Sequence, residues 1–434
     1  MLQYHASSYQ ENGFYMSTPS RLPYIVLGTG LGFPNEDQKF WWYALAPTIQ
    51  DLMIKSNYDI THQYQYLALI YRYILPALGP RAHPGRKPLW ESFLTDDCSP
   101  VESSVNLHGG KAIVRVCFEP VGERAGTEQD PFNSSASRKF IRSMEEFPDV
   151  TNLQWFRHFE RELIASPDHA TRIRKLLPAN EHRSQNLFAF DFRDGQAMLK
   201  AYFFPMLKSL ETGKSEARLI FDSALKLDSE EYPIAPALSM VEAYVASCPP
   251  EENARVEFLS IDCNDPRESR IKIYFRTPYT SFSKVREVYT LGGRLGDATT
   301  RAGLDILKEL WPLLLDISPA KHRIAGVLFN FEITPGNMYP EPKVYIPVKH
   351  HAKSDIAIAE ALSSCFHRLG WTDLARSYTE GLRARFPHHN LDTETGTQTY
   401  VSYAYKDDKG PYITLYYSPK VYSASPVAAW SRRC

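Results

Sequence analysis

A cation placed two residues before a tyrosine recurs along the chain, at Lys200/Tyr202, Lys272/Tyr274 and Lys343/Tyr345. Residues two apart share one face of a β-strand, so both members of each pair point the same way. Arg115 and Arg270 stand in equivalent stretches. A ring of Arg and Lys offers charge-assisted, often bidentate hydrogen bonds to the oxygens of a diphosphate. Interleaved tyrosine rings present π faces to a developing carbocation and keep water from quenching it. One such pair alone would read as a solvated strand face. Recurrence at matching places favours a shared ligand surface.

The elements that must position these residues also recur. FPNEDQKFWWYALAPTIQDLMIKS, with Asn35 as cap, and THQYQYLALIYRYILPALG, ending at Gly79-Pro80, read as two helices. PVESSVNL and KAIVRVCFEP follow as extended runs joined by His-Gly-Gly, a hairpin signal. Helical stretches then precede NLFAFDF and QAMLKAYFFP, EFLSIDC and RIKIYFRT, GVLFNFEI and PKVYIPV, and TYVSYAY and PYITLYYSP. The second strand of each pair begins near Lys111, Gln196, Ser269, Pro342 and Pro411, a spacing of roughly 70–85 residues. Five helix–helix–strand–strand units are predicted.

Strand phase then decides the architecture. Val114, Val116 and Phe118 alternate with Arg115, Cys117 and Glu119; Ile271, Ile273 and Phe275 alternate with Arg270, Lys272 and Tyr274; Val344 and Ile346 alternate with Lys343 and Tyr345. The apolar face must meet the helices. The polar face must be solvent or the lumen of a barrel, and ten strands closed on themselves leave no unprotected edge and room for ligands. The expectation is an α+β fold: a barrel of ten antiparallel strands, helices outside, in one domain.

In order, LTDDCSPVESSVNL, VRVCFEPVG, GTEQDPFN, LKAYFFP, SRIKIYFRTP, PKVYIPV and PYITLYYSP resemble the fungal dimethylallyltryptophan synthase family from about Asn35 to Pro419. The resemblance implies the ABBA barrel and transfer of a prenyl group from its diphosphate to an arene. It implies Glu102 as the carboxylate that accepts the indole N–H. It implies Arg115, Lys200, Arg270, Lys272 and Lys343 as diphosphate ligands, and Tyr202, Tyr274, Tyr345 and Tyr416 as the shield around the allyl cation. Phe93 and Leu94 match contacts to the acceptor, and Leu328 falls where the family gates prenyl length, with its strand phase pointing it inward. Two departures stand out. Leu187 occupies the place of a Lys thought to take the ring proton in enzymes that prenylate tryptophan at C4. Glu257 falls near an Arg that holds the substrate carboxylate there, with Arg255 two residues away. Both argue against C4 prenylation of free tryptophan, and Glu257 would repel a carboxylate.

The rest of the sequence narrows the field. The 434 residues are 43% hydrophobic and 23% charged, enough to bury a large core. Lys plus Arg (49) balance Asp plus Glu (50), so no global field recruits nucleic acid or an anionic membrane. The first residues lack the basic start and apolar run of a signal peptide. No apolar run is long enough to span a membrane, and six scattered Cys without CxxC fit a reducing cytoplasm. GTGLG lacks the final glycine of a dinucleotide loop. Asp96-Asp97 and Asp407-Asp408 are isolated pairs rather than DDxxD and read as turns. His350-His351 and His388-His389 lack ligand spacing, so no metal or other cofactor is expected to be required, divalent ions acting at most as modest stimulants. The predicted division is 1–34 as a partly irregular extension, 35–420 as the barrel and 421–434 as a tail, in a monomer or homodimer. The expected substrates are dimethylallyl diphosphate and an indole-containing acceptor such as a cyclic dipeptide or indole terpenoid. Rival readings are a phenolic acceptor (tyrosine, a xanthone or an aromatic polyketide) and a non-catalytic barrel that carries a ligand.

Overall fold

A computed structural model describes residues 22–83, 86–150, 152–179, 181–315, 326–407 and 409–422. Ten strands close a barrel in which every strand pairs antiparallel with its sequence neighbours and the last pairs with the first. They are β1 (Val101–His108), β2 (Lys111–Phe118), β3 (Asn186–Arg193), β4 (Gln196–Phe203), β5 (Arg255–Asp262), β6 (Ile271–Thr277), β7 (Val327–Ile333), β8 (Glu341–Ile346), β9 (Gln398–Lys406) and β10 (Gly410–Tyr417). The hairpins β1–β2 and β3–β4 turn at residues with positive φ, Gly109 and Gly110 in one and Asp194 and Gly195 in the other. Turns of that hand match the twist of the flanking strands.

The outward positions form one core with the surrounding helices. Val114, Val116, Phe118, Phe188, Phe190, Leu199, Ile273, Phe275, Phe329 and Val344 are all completely buried in it, with Trp41, Trp42 and Phe159 from the helices. Helix Glu36–Lys55 starts at Asn35, whose side chain accepts from Gln38 N at 2.8 Å, as predicted. The second helix, Ile60–Leu69, widens into a π-turn over Ile70–Ile74 and tightens into a 3₁₀ turn before Gly79. Gly79 has φ +67°, and a Cβ there would fall 2.3 Å from the Val121 carbonyl oxygen, so only glycine lets the chain pass beneath that loop. The GTGLG stretch proves to be packing. Gly28 lies in helix Pro23–Gly30, where a Cβ would meet the Trp42 indole nitrogen at 2.6 Å.

Candidate active site

The inward positions of the even-numbered strands stack in two layers. Tyr202 on β4, Tyr274 on β6, Tyr345 on β8 and Tyr416 on β10 form the upper layer, with ring centroids 6.3, 5.8 and 6.0 Å apart in succession. Two residues nearer the hairpin turns, the same strands present Lys200, Lys272, Lys343 and Thr414, and β2 presents Arg115. Cys117 holds the tyrosine position in the first repeat, directly opposite Glu102 on β1. Leu187, Phe258 and Leu328 stand across from Tyr202, Tyr274 and Tyr345 on the neighbouring strands, and with Phe204 they join the same apolar cluster, against which Leu94 packs. Phe93 lies at this mouth, stacked on His182 at 4.0 Å and edge-on to Phe204 at 5.8 Å. The fold thus brings all the predicted site residues to one lumen and its mouth.

Three acidic residues missed in the sequence hold the cations. Asp191 on β3, Asp262 on β5 and Glu332 on β7 face inward at matching places in three successive first strands. Arg115 makes a two-pronged pair with Asp191, its Nη2 3.0 Å from Oδ2. Lys200 bonds Asp262 closely and lies 3.4 Å from Asp191. Arg270 Nε lies 2.6 Å from Asp262 and its Nη1 3.3 Å from Glu332. Lys272 is engaged more loosely, 3.7 Å from Asp262 and 3.6 Å from Glu332. Lys343 donates to the Thr414 hydroxyl at 3.0 Å, with its ammonium 4.6 Å from the Tyr412 ring centre. Lys406, also unforeseen, adds a cation 3.3 Å from Glu332. Strands β3, β5 and β7 each carry an acid two residues beyond the position facing the cation, a repeat legible in NLFAFDF, EFLSIDC and VLFNFEI.

Burial and neighbouring charge set the protonation states. Burial raises Asp191, Asp262 and Glu332, but their cationic neighbours outweigh it and hold all three well below the usual carboxylate range. Burial, with Arg270 alongside, lowers Lys272 to about 7. Burial and the nearby Arg115 depress Lys343 well below an ordinary lysine. Burial raises Glu102 to about 7, although the Thr399 hydroxyl donates to its Oε1 at 2.7 Å and favours the charged form.

Two expectations need correction. Glu257 is not a lone repulsive carboxylate: Arg276 Nε lies 2.7 Å away and Arg255 Nε 3.1 Å, so two guanidiniums surround it. A β-bulge between Val256 and Phe258 makes Glu257 the extra residue of β5. Glu119, assigned above to the face of Arg115, lies past the end of β2 and binds side chains outside the diphosphate layer. Among the described residues, no group of three or more His, Cys, Asp or Glu is arranged to hold a metal ion, and no helix is long and apolar enough to cross a membrane.

The tryptophan dimethylallyltransferase family model matches residues 37–381. The chain belongs to that family. It is 41% identical to a 7-dimethylallyltryptophan synthase of Aspergillus fumigatus, covering 94% of this chain and 91% of the relative. It is 34% identical to the indole diterpene prenyltransferase anaPT of Neosartorya fischeri, covering 94% of each. The crystal structure of AnaPT from Neosartorya fischeri superposes with a TM-score of 0.84 at 34% identity, covering 92% of this chain and 98% of that one. NotF in complex with brevianamide F and DMSPP follows at 0.80 and 29%, covering 92% and 99%. This member of the family is therefore an aromatic prenyltransferase with the ABBA barrel.

Proposed function

We propose that the chain transfers a dimethylallyl group from dimethylallyl diphosphate to an indole-containing acceptor, at a ring position other than C4. The observation that carries this is the stacking of one tyrosine from each of four strands directly above a basic layer, with the buried Glu102 on the acceptor side. Arg115, Lys200, Arg270, Lys272 and Lys343 bind the diphosphate. As its C–O bond breaks, the leaving group takes the electron pair into a site preorganised for negative charge. The allyl cation forms among Tyr202, Tyr274, Tyr345 and Tyr416, which donate π density and exclude water. Glu102 accepts the indole N–H and directs the ring carbon onto the cation. A C–C bond forms, and the ring proton passes to the released diphosphate or to water, which restores the arene. Phe93, Leu94, Leu187 and Leu328 line the acceptor and prenyl-tail space. Charge neutralisation by side chains makes a divalent metal unnecessary.

The apolar cluster at the mouth supports a cyclic dipeptide or an indole terpenoid as acceptor. Free tryptophan is the second reading, favoured by Arg276 and Arg255, whose pairing with Glu257 weakens its repulsion of a carboxylate. The test incubates dimethylallyl diphosphate with L-tryptophan, a tryptophan-containing diketopiperazine, an indole diterpenoid and L-tyrosine separately, with NMR of each product. Prenylated indole is the expected result. Efficient formation of 4-dimethylallyltryptophan would overturn the positional argument from Leu187. Turnover of tyrosine alone would overturn the indole assignment.

A further inference from the structure

The stretch from Arg86 to Pro100 contains neither helix nor strand, yet it presents Phe93 and Leu94 to the barrel mouth. Without a backbone ladder, its position must come from side chains. Its far end is held by Asp96, 2.6 Å from Lys349 Nζ, and by Asp97, which accepts from Tyr422 N at 2.8 Å, while the part from Trp90 to Leu94 converges on one buried group. The Glu119 carboxylate is 2% exposed and accepts from Trp90 Nε1 at 2.7 Å, Ser92 Oγ at 2.5 Å and Ser184 Oγ at 2.7 Å. Ser92 Oγ in turn accepts from Leu94 N at 3.3 Å, and Ser184 Oγ accepts from Phe93 N at 3.2 Å. Ser184 belongs to the segment that enters β3, between His182, on which Phe93 stacks, and Leu187, which faces the lumen. One carboxylate therefore ties both walls of the mouth to the end of β2, the strand that carries Arg115.

We propose that Glu119 is a positioning residue for the aromatic acceptor, setting Phe93 and Leu94 relative to Glu102 and so deciding which ring atom meets the allyl cation. It touches neither substrate and acts through Ser92 and Ser184. Buried networks of this kind fix geometry only when each member is satisfied, and a carboxylate accepts from three donors where a hydroxyl or a methyl cannot. Burial raises Glu119 to about 7, so the site does not strongly favour a full charge. An uncharged amide of the same shape is therefore a fair substitute. In Glu119→Gln the carbonyl oxygen accepts from Trp90 while the NH₂ donates to the two serine oxygens after their hydroxyls rotate.

The proposal rests on the acceptor reading above, and wild-type turnover with the indole panel tests that reading separately. Using the best wild-type indole acceptor, Glu119→Ala is expected to raise acceptor KM about 10-fold or more, the scale of a displaced substrate. Donor KM should stay within about 2-fold of wild type, with several regioisomers in the NMR spectrum. Glu119→Gln should restore most of the acceptor KM and a single product. Equal changes in both KM values, or a loss of kcat with acceptor KM and regiochemistry unchanged, would show that Glu119 only supports the fold. Should Glu119→Ala be insoluble, Ser184→Ala decides: it keeps the carboxylate and removes the link to Phe93 N. An unchanged acceptor KM and product pattern in that variant would overturn the proposal.

Discussion

Lys272 is the cation whose contribution can be worked out most fully. Its ammonium stands 3.7 and 3.6 Å from its two acids, too long for tight pairing, so it has capacity left for an incoming phosphate oxygen. Two unit charges about 4 Å apart at an effective dielectric constant of about 20 interact by roughly 4 kcal/mol. Losing one preorganised charge stabiliser typically costs ~10²–10³-fold in turnover. Lys272→Ala should therefore lower kcat/KM for the donor by about 10²-fold. The protonation state adds a sharper test. The free lysine titrates at about 7 because burial and Arg270 disfavour its charge, and a bound trianion must raise that value. Below pH 7 the proton is already in place. Above pH 7 binding has to take it up, so donor KM should rise by up to about 10-fold per pH unit, at ~1.4 kcal/mol per unit. The phosphate's own last ionisation, near ~6, is complete by then. Lys343, depressed in the same direction, can only steepen the rise. Lys272→Arg stays protonated throughout, so its slope should be shallower by about one log unit per pH unit. The assay is donor KM between pH 6.5 and 8.5, at saturating acceptor, for both proteins. A flat wild-type profile, or an arginine variant with the wild-type slope, would refute the reasoning.

Lys200→Ala should also lose about 10²-fold in turnover and leave Asp262 short of a partner, read as a lower Tm; near-normal rates would remove Lys200 from the diphosphate site. Glu102, raised to about 7, should accept the proposed indole N–H more strongly when charged, so kcat/KM for the acceptor should fall as pH drops through 7, and Glu102→Gln should show low activity without that inflection. Activity should survive excess EDTA; complete loss restored by Mg²⁺ would mean that acidic ligands hold a required metal. Tyr274→Ala opens the cation's shield, so dimethylallyl alcohol should rise relative to prenylated indole, measured by product ratio under single turnover.

The barrel was legible because the repeat and the period of two agree over five units. Each correct strand phase supports the next, and Val114, Ile273 and Val344 all lie outward as the alternation requires. The cations and tyrosines were legible for the same reason. The acids beneath them carry the same signal, but Asp191, Asp262 and Glu332 lie on the first strands, where no tyrosine marks the register. Glu257 was misread because its partner Arg276 lies across the hairpin on β6, which no spacing along β5 reveals, and a bulge also breaks the alternation beside it. Val256 packs outward and Phe258 inward, although strict alternation would put both on one face. The mouth loop was least legible. Phe93 and Leu94 sit in irregular chain held by Glu119, and such a tie joins residues 27 positions apart in one direction and 65 in the other.

The charge arrangement connects the two halves of the site. Arg115, Lys200, Arg270, Lys272, Lys343 and Lys406 stand among three buried carboxylates, with Glu341 also pairing Lys406, so full protonation would leave a positive excess in a confined lumen. The structure relieves that excess at Lys272 and Lys343, which shed protons readily, rather than at the arginines, which cannot. The acids therefore do two things. They anchor Arg115, Lys200 and Arg270 in fixed positions, and they leave two lysines whose charge is completed by the donor itself. On the diphosphate site proposed above, the entering donor would gain both rigid hydrogen-bond donors and protons drawn from solvent. The developing negative charge on the leaving group then meets a site at its most positive just as the C–O bond breaks. Once diphosphate departs, the same lysines release their protons and the lumen returns to its less charged state.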